Sequence, residues 1–199
     1  MVRCVTLDSH FNDRFDQVDL LDINTEGHDY QVLQGADRLF TNGFIQCVKI
    51  EFELTEVWLG QGWFADIDIW LRQRQYDLAH LEIECAKPTS AAHLYHGGEP
   101  LWGKAIYVPG YQRWRKQRQH VPTEAMKEAV LKAVVLYTIL DLPGRAIDLL
   151  TLVAGESDIL PFRREYLTAQ IAAVFHHAKL DAAITKLTSR LRRFFSIIT

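Results

Sequence analysis

The chain has 199 residues, 48% hydrophobic and 24% charged, enough apolar material for one sizeable core or two modest ones. That composition excludes a disordered or collagen-like chain. With no run of 18 uncharged apolar residues and no basic, apolar leader, a cytoplasmic protein without a membrane span is expected. Three cysteines, Cys4, Cys47 and Cys85, stand about 40 residues apart without a CxxC pair, which argues for three buried thiols and against a disulfide framework or zinc ribbon. The net charge of −3 hides an asymmetry. Residues 1–111 carry 8 Lys and Arg against 17 Asp and Glu, net −9, whereas residues 112–199 carry 14 against 8, net +6. A boundary is expected there, beside Arg113, Arg115, Lys116 and Arg118, between an α/β part (1–111) and a helical part (112–199) whose charges attract each other.

In chain order, Asp19 to Asn24 reads as a short strand and Asp29 to Phe40 as a helix closed by Gly43. Residues 47–54 alternate strictly, placing Val48, Ile50, Phe52 and Leu54 on one face and Lys49, Glu51 and Glu53 on the other, the pattern of a half-buried strand. Phe64 to Gln75 is helical; Leu78 to Cys85 and Lys104 to Val108 are extended. Strands separated by helices of this length imply βαβ units and a mainly parallel sheet, whose last two strands are suited to an antiparallel edge. Beyond the boundary about four helices are predicted, Thr123 to Leu140, Arg145 to Val153, Phe162 to Lys179 and Asp181 to Phe195, paired as two helical hairpins. Ala146, Ile147, Leu150 and Thr151 recur as Ala183, Ile184, Leu187 and Thr188, a degenerate repeat of the tetratricopeptide kind. Two such units are too few for a free-standing solenoid, so the hairpins read either as a packing extension or as a module that binds a partner protein.

The segment Asn24-Thr25-Glu26-Gly27-His28-Asp29 follows the carboxyl end of a predicted strand, where ligands bind in open α/β sheets. It reads equally as a site or as a helix start, in which Asp29 is the cap and Glu26 favours the dipole. Gly60-Gln61-Gly62-Trp63-Phe64-Ala65 fits a dinucleotide fingerprint, with Glu82 about 20 residues beyond. Thr55 to Leu59 hold its first glycine away from the strand end, however, so it reads better as a mobile loop whose Trp58 and Trp63 stack on an acceptor ring. His93, His96 and Cys85 lack a fourth ligand, and no metal site is expected. The basic run around Arg115 has the acidic N-terminal part as a nearer partner than nucleic acid, and His176-His177 reads as helix packing.

Leu21 to Asp29 followed by Val32-Leu33-Gln34-Gly35-Ala36 resembles the signature of FkbM-type S-adenosylmethionine-dependent methyltransferases, a strand ending in Ile-Asp-x-Glu-Gly-His/Ala-Glu before a Val-Leu-x-Gly-Ala helix. Val5-Thr6-Leu7-Asp8, Val48 to Phe52 and Ala105-Ile106-Tyr107-Val108 are similar to flanking elements of that family, so the likeness spans roughly residues 1–110. It departs in two ways. Asn24 replaces the signature aspartate, an amide that can hydrogen-bond but not act as a base. The first glycine is Gly27, so no glycine-rich cofactor loop precedes the signature. The resemblance therefore implies the carboxyl half of a Rossmann-like class I methyltransferase fold, followed by the all-α extension, with an incomplete S-adenosylmethionine site and unknown cofactor-binding residues. It implies an O-methyltransferase acting on a sugar or other hydroxylated small molecule, or an inactive remnant that serves as an interaction module. By the same resemblance His28 is the candidate base, Glu26 and Asn24 are its catalytic neighbours, and Glu51, Trp58 and Trp63 bind the acceptor. A truncated sheet would leave the strand ending at Asn24 with an unpaired edge, which favours a homodimer unless the C-terminal helices cover it.

Overall fold

A computed structural model of the chain describes residues 4–11, 17–41, 44–86, 98–120 and 123–154. They fall into two compact units, divided between Pro122 and Thr123.

In the first unit the elements run α1 (Leu7–Phe11), β1 (Gln17–Val18), β2 (Leu21–Ile23), α2 (Asp29–Gln34), α3 (Asp37–Thr41), β3 (Phe44–Ile45), β4 (Val48–Glu53), α4 (Phe64–Gln73), β5 (Tyr76–Ala86), β6 (Glu99–Pro109) and α5 (Tyr111–His120). β1 pairs parallel with β3, and β2 parallel with β4. Gln17 lies opposite Phe44 and Leu21 opposite Val48, so both ladders keep one register. Hydrogen bonds from Gln46 N–H to the Val18 carbonyl and from Leu21 N–H to the Cys47 carbonyl bridge the gap between them. The four-stranded sheet has the order β2-β4-β6-β5, and β6 runs antiparallel to both its neighbours. The expected antiparallel edge is present, but this sheet is mixed, not mainly parallel. β2 and β4 alone pair parallel in it, while β6 runs antiparallel to β4 and to β5.

The alternation read in β4 sorts the sheet into two faces. Ile23, Val48, Ile50, Phe52, Ala105 and Tyr107 point to one side, where they form a buried core with Leu33 and Ala36, Phe40 of α3, and Ile67, Trp70 and Leu71 of α4. Asp22, Asn24, Lys49, Glu51 and Lys104 lie on the opposite face by the same two-residue period.

The single helix expected from Asp29 to Phe40 is two helices, α2 and α3, with a turn at Gly35-Ala36. Asp8 of α1 causes the break: its N–H bonds to the Gly35 carbonyl, and its carboxylate accepts from Arg38 N–H at 2.8 Å and Leu39 N–H at 3.0 Å. A cap supplied from elsewhere in the chain thus starts α3 afresh. The Gly43 stop lies outside the described residues.

α5 was not anticipated, because its text, Arg113 to Arg118, reads as charge and not as an amphipathic stripe. Its anchor is Arg113, whose Nη2 donates to the Phe40 carbonyl at 2.6 Å and Nη1 to the Arg74 carbonyl at 3.2 Å, with the guanidinium 4.9 Å from the centre of the Tyr76 ring. One side chain thereby closes the ends of α3 and α4. Arg113→Met is expected to destabilise the first unit by about 2 kcal/mol, since two carbonyls lose charge-assisted bonds. A urea midpoint equal to wild type would refute that anchoring.

Of the three cysteines only Cys47 is buried; Cys4 and Cys85 are exposed, which corrects the expectation of three buried thiols. Cys85 sits on the outer strand β5, beyond the cover of the helices. Burial, reinforced by the Asp22 charge, pushes the Cys47 thiol up to about 12, leaving it protonated and inert near neutral pH.

The second unit is described as the helical hairpin α6 (Thr123–Ile139) and α7 (Pro143–Ala154). Met126, Val130, Ala133 and Tyr137 recur at helical spacing and are buried, as are Ala146, Leu149 and Leu150. Asp141 takes a left-handed φ of 57°, and Leu142 N–H bonds to the Tyr137 carbonyl at 2.8 Å, which ends α6. The two later helices, the repeated tetrad and His176-His177 lie outside the described residues, as do His93 and His96. Among the described residues no helix is long and apolar enough to cross a membrane.

Candidate functional site

The carboxyl end of β2 lies beside the middle of the parallel strand β4, and a cleft of about 230 Å³ opens there on the polar face of the sheet. Asp22, Ile23, Asn24, Lys49, Ile50, Glu51 and Lys104 line it. Strand register explains the set: Asp22 faces Lys49, Ile23 faces Ile50, and Glu51 faces Lys104 across the antiparallel β4–β6 pair. The Lys49 ammonium meets the Asp22 carboxylate at 2.9 Å. Lys104 stands with its ammonium 5.6 Å from the centre of the Trp102 ring and offsets the Glu51 charge. Asn24 and Glu51 were expected at the site and line the cleft. Asp22, Lys49 and Lys104 were not singled out, because cross-strand register is needed to bring them to it.

The turn after β2 is built by Asp29. Its carboxylate, in a residue only 2% exposed, accepts from Thr25 N–H at 2.9 Å and Gly27 N–H at 3.2 Å. Asp29 is therefore the first residue of α2 and a brace for the turn before it, not the cap, a position taken by His28 without a side-chain bond. Glu26 (φ 54°) and Gly27 (φ 89°) both adopt left-handed backbone. Glu26 and His28 are exposed, and neither lines the cleft.

The loop after β4 folds onto this turn. A Cβ on Gly27 would stand 2.6 Å from Trp58 Cβ, and one on Gly62 would collide with Tyr30. Gln31 Nε2 donates to the Gly60 carbonyl at 3.2 Å. Gln61 ties the loop together: its Oε1 accepts from Val57 and Trp58 N–H at 2.9 and 2.7 Å, and its Nε2 donates to the Thr55 carbonyl at 2.8 Å. The two glycines of the apparent fingerprint thus serve a left-handed turn at Gly60 (φ 75°) and close packing on Tyr30 at Gly62. Trp58 and Trp63 each keep 42% of their surface exposed, Trp58 on the loop and Trp63 just before α4, and both lie outside the cleft wall.

A further carboxylate, Glu53, ends β4 on the same side as Glu51 but is only 5% exposed. Burial, then the nearby charges of Asp29 and Glu51, raise its pKa above the usual carboxylate range. Glu51 is raised chiefly by burial, with Lys104 opposing and Glu26 and Asp29 adding. The charges of Glu26 and Asp29 thus add to burial in raising both Glu51 and Glu53. The strand reading placed Glu53 with solvent-facing residues; its burial follows from the loop, whose Trp63 bridges to Glu53.

The first unit is thus a mixed α/β fold with a polar cleft where the parallel strand β2 ends. Comparison with protein families matches residues 1–78 to the Methyltransferase FkbM domain, to which this N-terminal part of the chain is similar. The match ends inside β5, short of the span to about residue 110 read from the sequence. No curated protein and no solved structure matches the chain.

Proposed function

We propose that the protein takes part in S-adenosylmethionine-dependent O-methylation of a sugar or another hydroxylated small molecule, and that the cleft holds this acceptor. The observation that carries the reading is the cleft wall itself. An amide (Asn24), a carboxylate (Glu51) and an ammonium (Lys104) stand together in it, and hydroxyl groups both donate to and accept from such a set. The parallel β2–β4 pair followed by an antiparallel hairpin supports a Rossmann-like sheet, with α6 and α7 as the start of a helical extension.

The described residues do not fit the whole methyl donor. The cleft is smaller than the roughly 300–1,000 Å³ of sites that enclose a drug-sized ligand. Its wall holds neither an aromatic surface for a purine nor a glycine backbone to cradle the rest. Within the cleft, Glu51 accepts an acceptor hydroxyl and is the better-placed base, since its burial raises its proton affinity. His28, first expected in that role, stands at the start of α2 and does not line the cleft. Asn24 orients a second hydroxyl.

The test is transfer of a labelled methyl group from S-adenosylmethionine to a panel of sugars. Transfer is expected with the wild type, with a drop of about 100-fold in Glu51→Gln. A folded chain that transfers no label and binds no S-adenosylhomocysteine at millimolar concentration would overturn this reading in favour of an inactive remnant that binds a partner through its helices.

A further inference from the structure

The two ends of the four-stranded sheet differ as templates for another strand. β2 offers 3 residues at one end, whereas β5 offers 11 at the other. A short edge is a poor pairing surface, and a long one presents a row of backbone N–H and C=O groups that another strand can complete. Among the described residues no strand pairs with the outer side of β5. Every residue from His80 to Cys85 is exposed. Between the irregularities at Leu78/His80 and Glu84/Cys85 the strand is regular and holds neither Pro nor Lys, residues that commonly blunt an edge. Leu81 and Ile83 face Ala105 and Gly103 of β6, on the side of the sheet that carries the core, yet stay 39% and 45% exposed. On the other side the register sets charges in a row: Glu51 of β4 faces Lys104 of β6, and Lys104 faces Glu82 of β5. The row alternates in sign and ends at Glu82, so a strand added there is favoured by a positive charge or a donor opposite that carboxylate.

We propose that β5 pairs with β5 of a second copy of this chain, antiparallel about a two-fold axis at Leu81, so that two sheets join into one homodimer. In that register His80 faces the second copy's Glu82, twice by symmetry, and each imidazole donates to the carboxylate that ends the other copy's charge row. Leu81 meets Leu81 on the apolar side. Neighbouring registers fail on charge. An axis at Glu82 sets Glu82 against itself, one at Ile83 sets Glu82 against Glu84, and one at His80 sets the imidazoles together; like charges directly opposite destabilise a strand pair. The contact is closed, because each copy spends its long edge on the other. One strand pair buries less than the roughly 1,200 Å² of a stable interface, so the dimer is reversible.

Sedimentation velocity of the full chain over a concentration series tests this. A monomer–dimer equilibrium with a dissociation constant on the order of 10 µM is expected. Leu81→Lys places two ammonium groups on the axis and His80→Glu sets a carboxylate against Glu82, so each weakens the dimer about 10-fold or more. The exchange His80→Glu with Glu82→His restores the pairing and the dimer with it. These side chains are exposed, and far-UV circular dichroism checks that each variant folds. A wild type still monomeric at about 100 µM, or assembly that grows past the dimer, would overturn the proposal. A dimer indifferent to both single variants, or an exchange that fails to restore what His80→Glu removes, would do the same.

Discussion

Gly103→Ala is expected to lower the stability of the first unit by about 3 kcal/mol, the upper end of the cost of forcing an extra methyl into a packed interior. Gly103 lies in β6, between Phe52 of β4 and Ile83 of β5. An added Cβ would stand 2.6 Å from Phe52 Cζ and closer still to the Glu82 carbonyl oxygen of β5. The first is part of the core and the second is backbone, so neither can swing aside as the tip of a surface side chain would. Either β5 separates from β6 or Phe52 leaves its place among Ile50, Ile67 and Tyr107. Gly144→Ala is the control: an added Cβ there meets nothing within 4 Å, and a change under ~1 kcal/mol is expected. Urea unfolding of both variants measures the difference, and a Gly103→Ala loss no larger than the control's would show that β5 yields freely.

The strands of the four-stranded sheet and the helices α4, α6 and α7 were legible because their signals are local, whereas the two-residue β1 and β3 and the short α1 carry no such signal. The alternation Val48, Ile50, Phe52 against Lys49, Glu51 describes β4 as it is found, and Pro143-Gly144, read as a break, opens α7 just after the turn. What failed depended on partners distant in sequence. Asp8 splits the helix at Gly35 from 30 residues away in the chain. Arg113 turns a basic run into a helix that caps α3 and α4. The site divides along the same line. Asn24 and Glu51 lie beside a motif or on an alternating strand, and both line the cleft. Lys104 reaches the cleft only through the antiparallel register Glu51–Lys104, which no local pattern encodes. Glu53 shares its polar face with Glu51 in the sequence, and only the folded loop ending at Trp63 buries the one and leaves the other at the cleft.

Asp29→Ala is expected to cost about 2–3 kcal/mol and to weaken sugar binding at least 10-fold, because one buried carboxylate holds the turn that places Asn24 and Glu26. Removing it leaves the Thr25 and Gly27 amides without acceptors, at a cost of roughly 1–3 kcal/mol for each such group where water cannot reach it. It also releases Glu26, which holds a left-handed φ of 54° that a residue with a Cβ adopts at a cost. Once Gly27 moves, Trp58 loses the surface it packs on, so the β4–α4 loop loosens too. Asp29→Asn separates geometry from charge. Its remaining oxygen can serve one amide while its NH2 opposes the other, so it should recover part of the stability. It also removes one of the charges that act on Glu53. If turn geometry governs binding, Asp29→Asn will bind the sugar with an affinity between those of Asp29→Ala and the wild type, in step with its stability. If affinity in Asp29→Asn falls as far as in Asp29→Ala while stability recovers, the Asp29 charge itself attracts the ligand, and the brace is secondary.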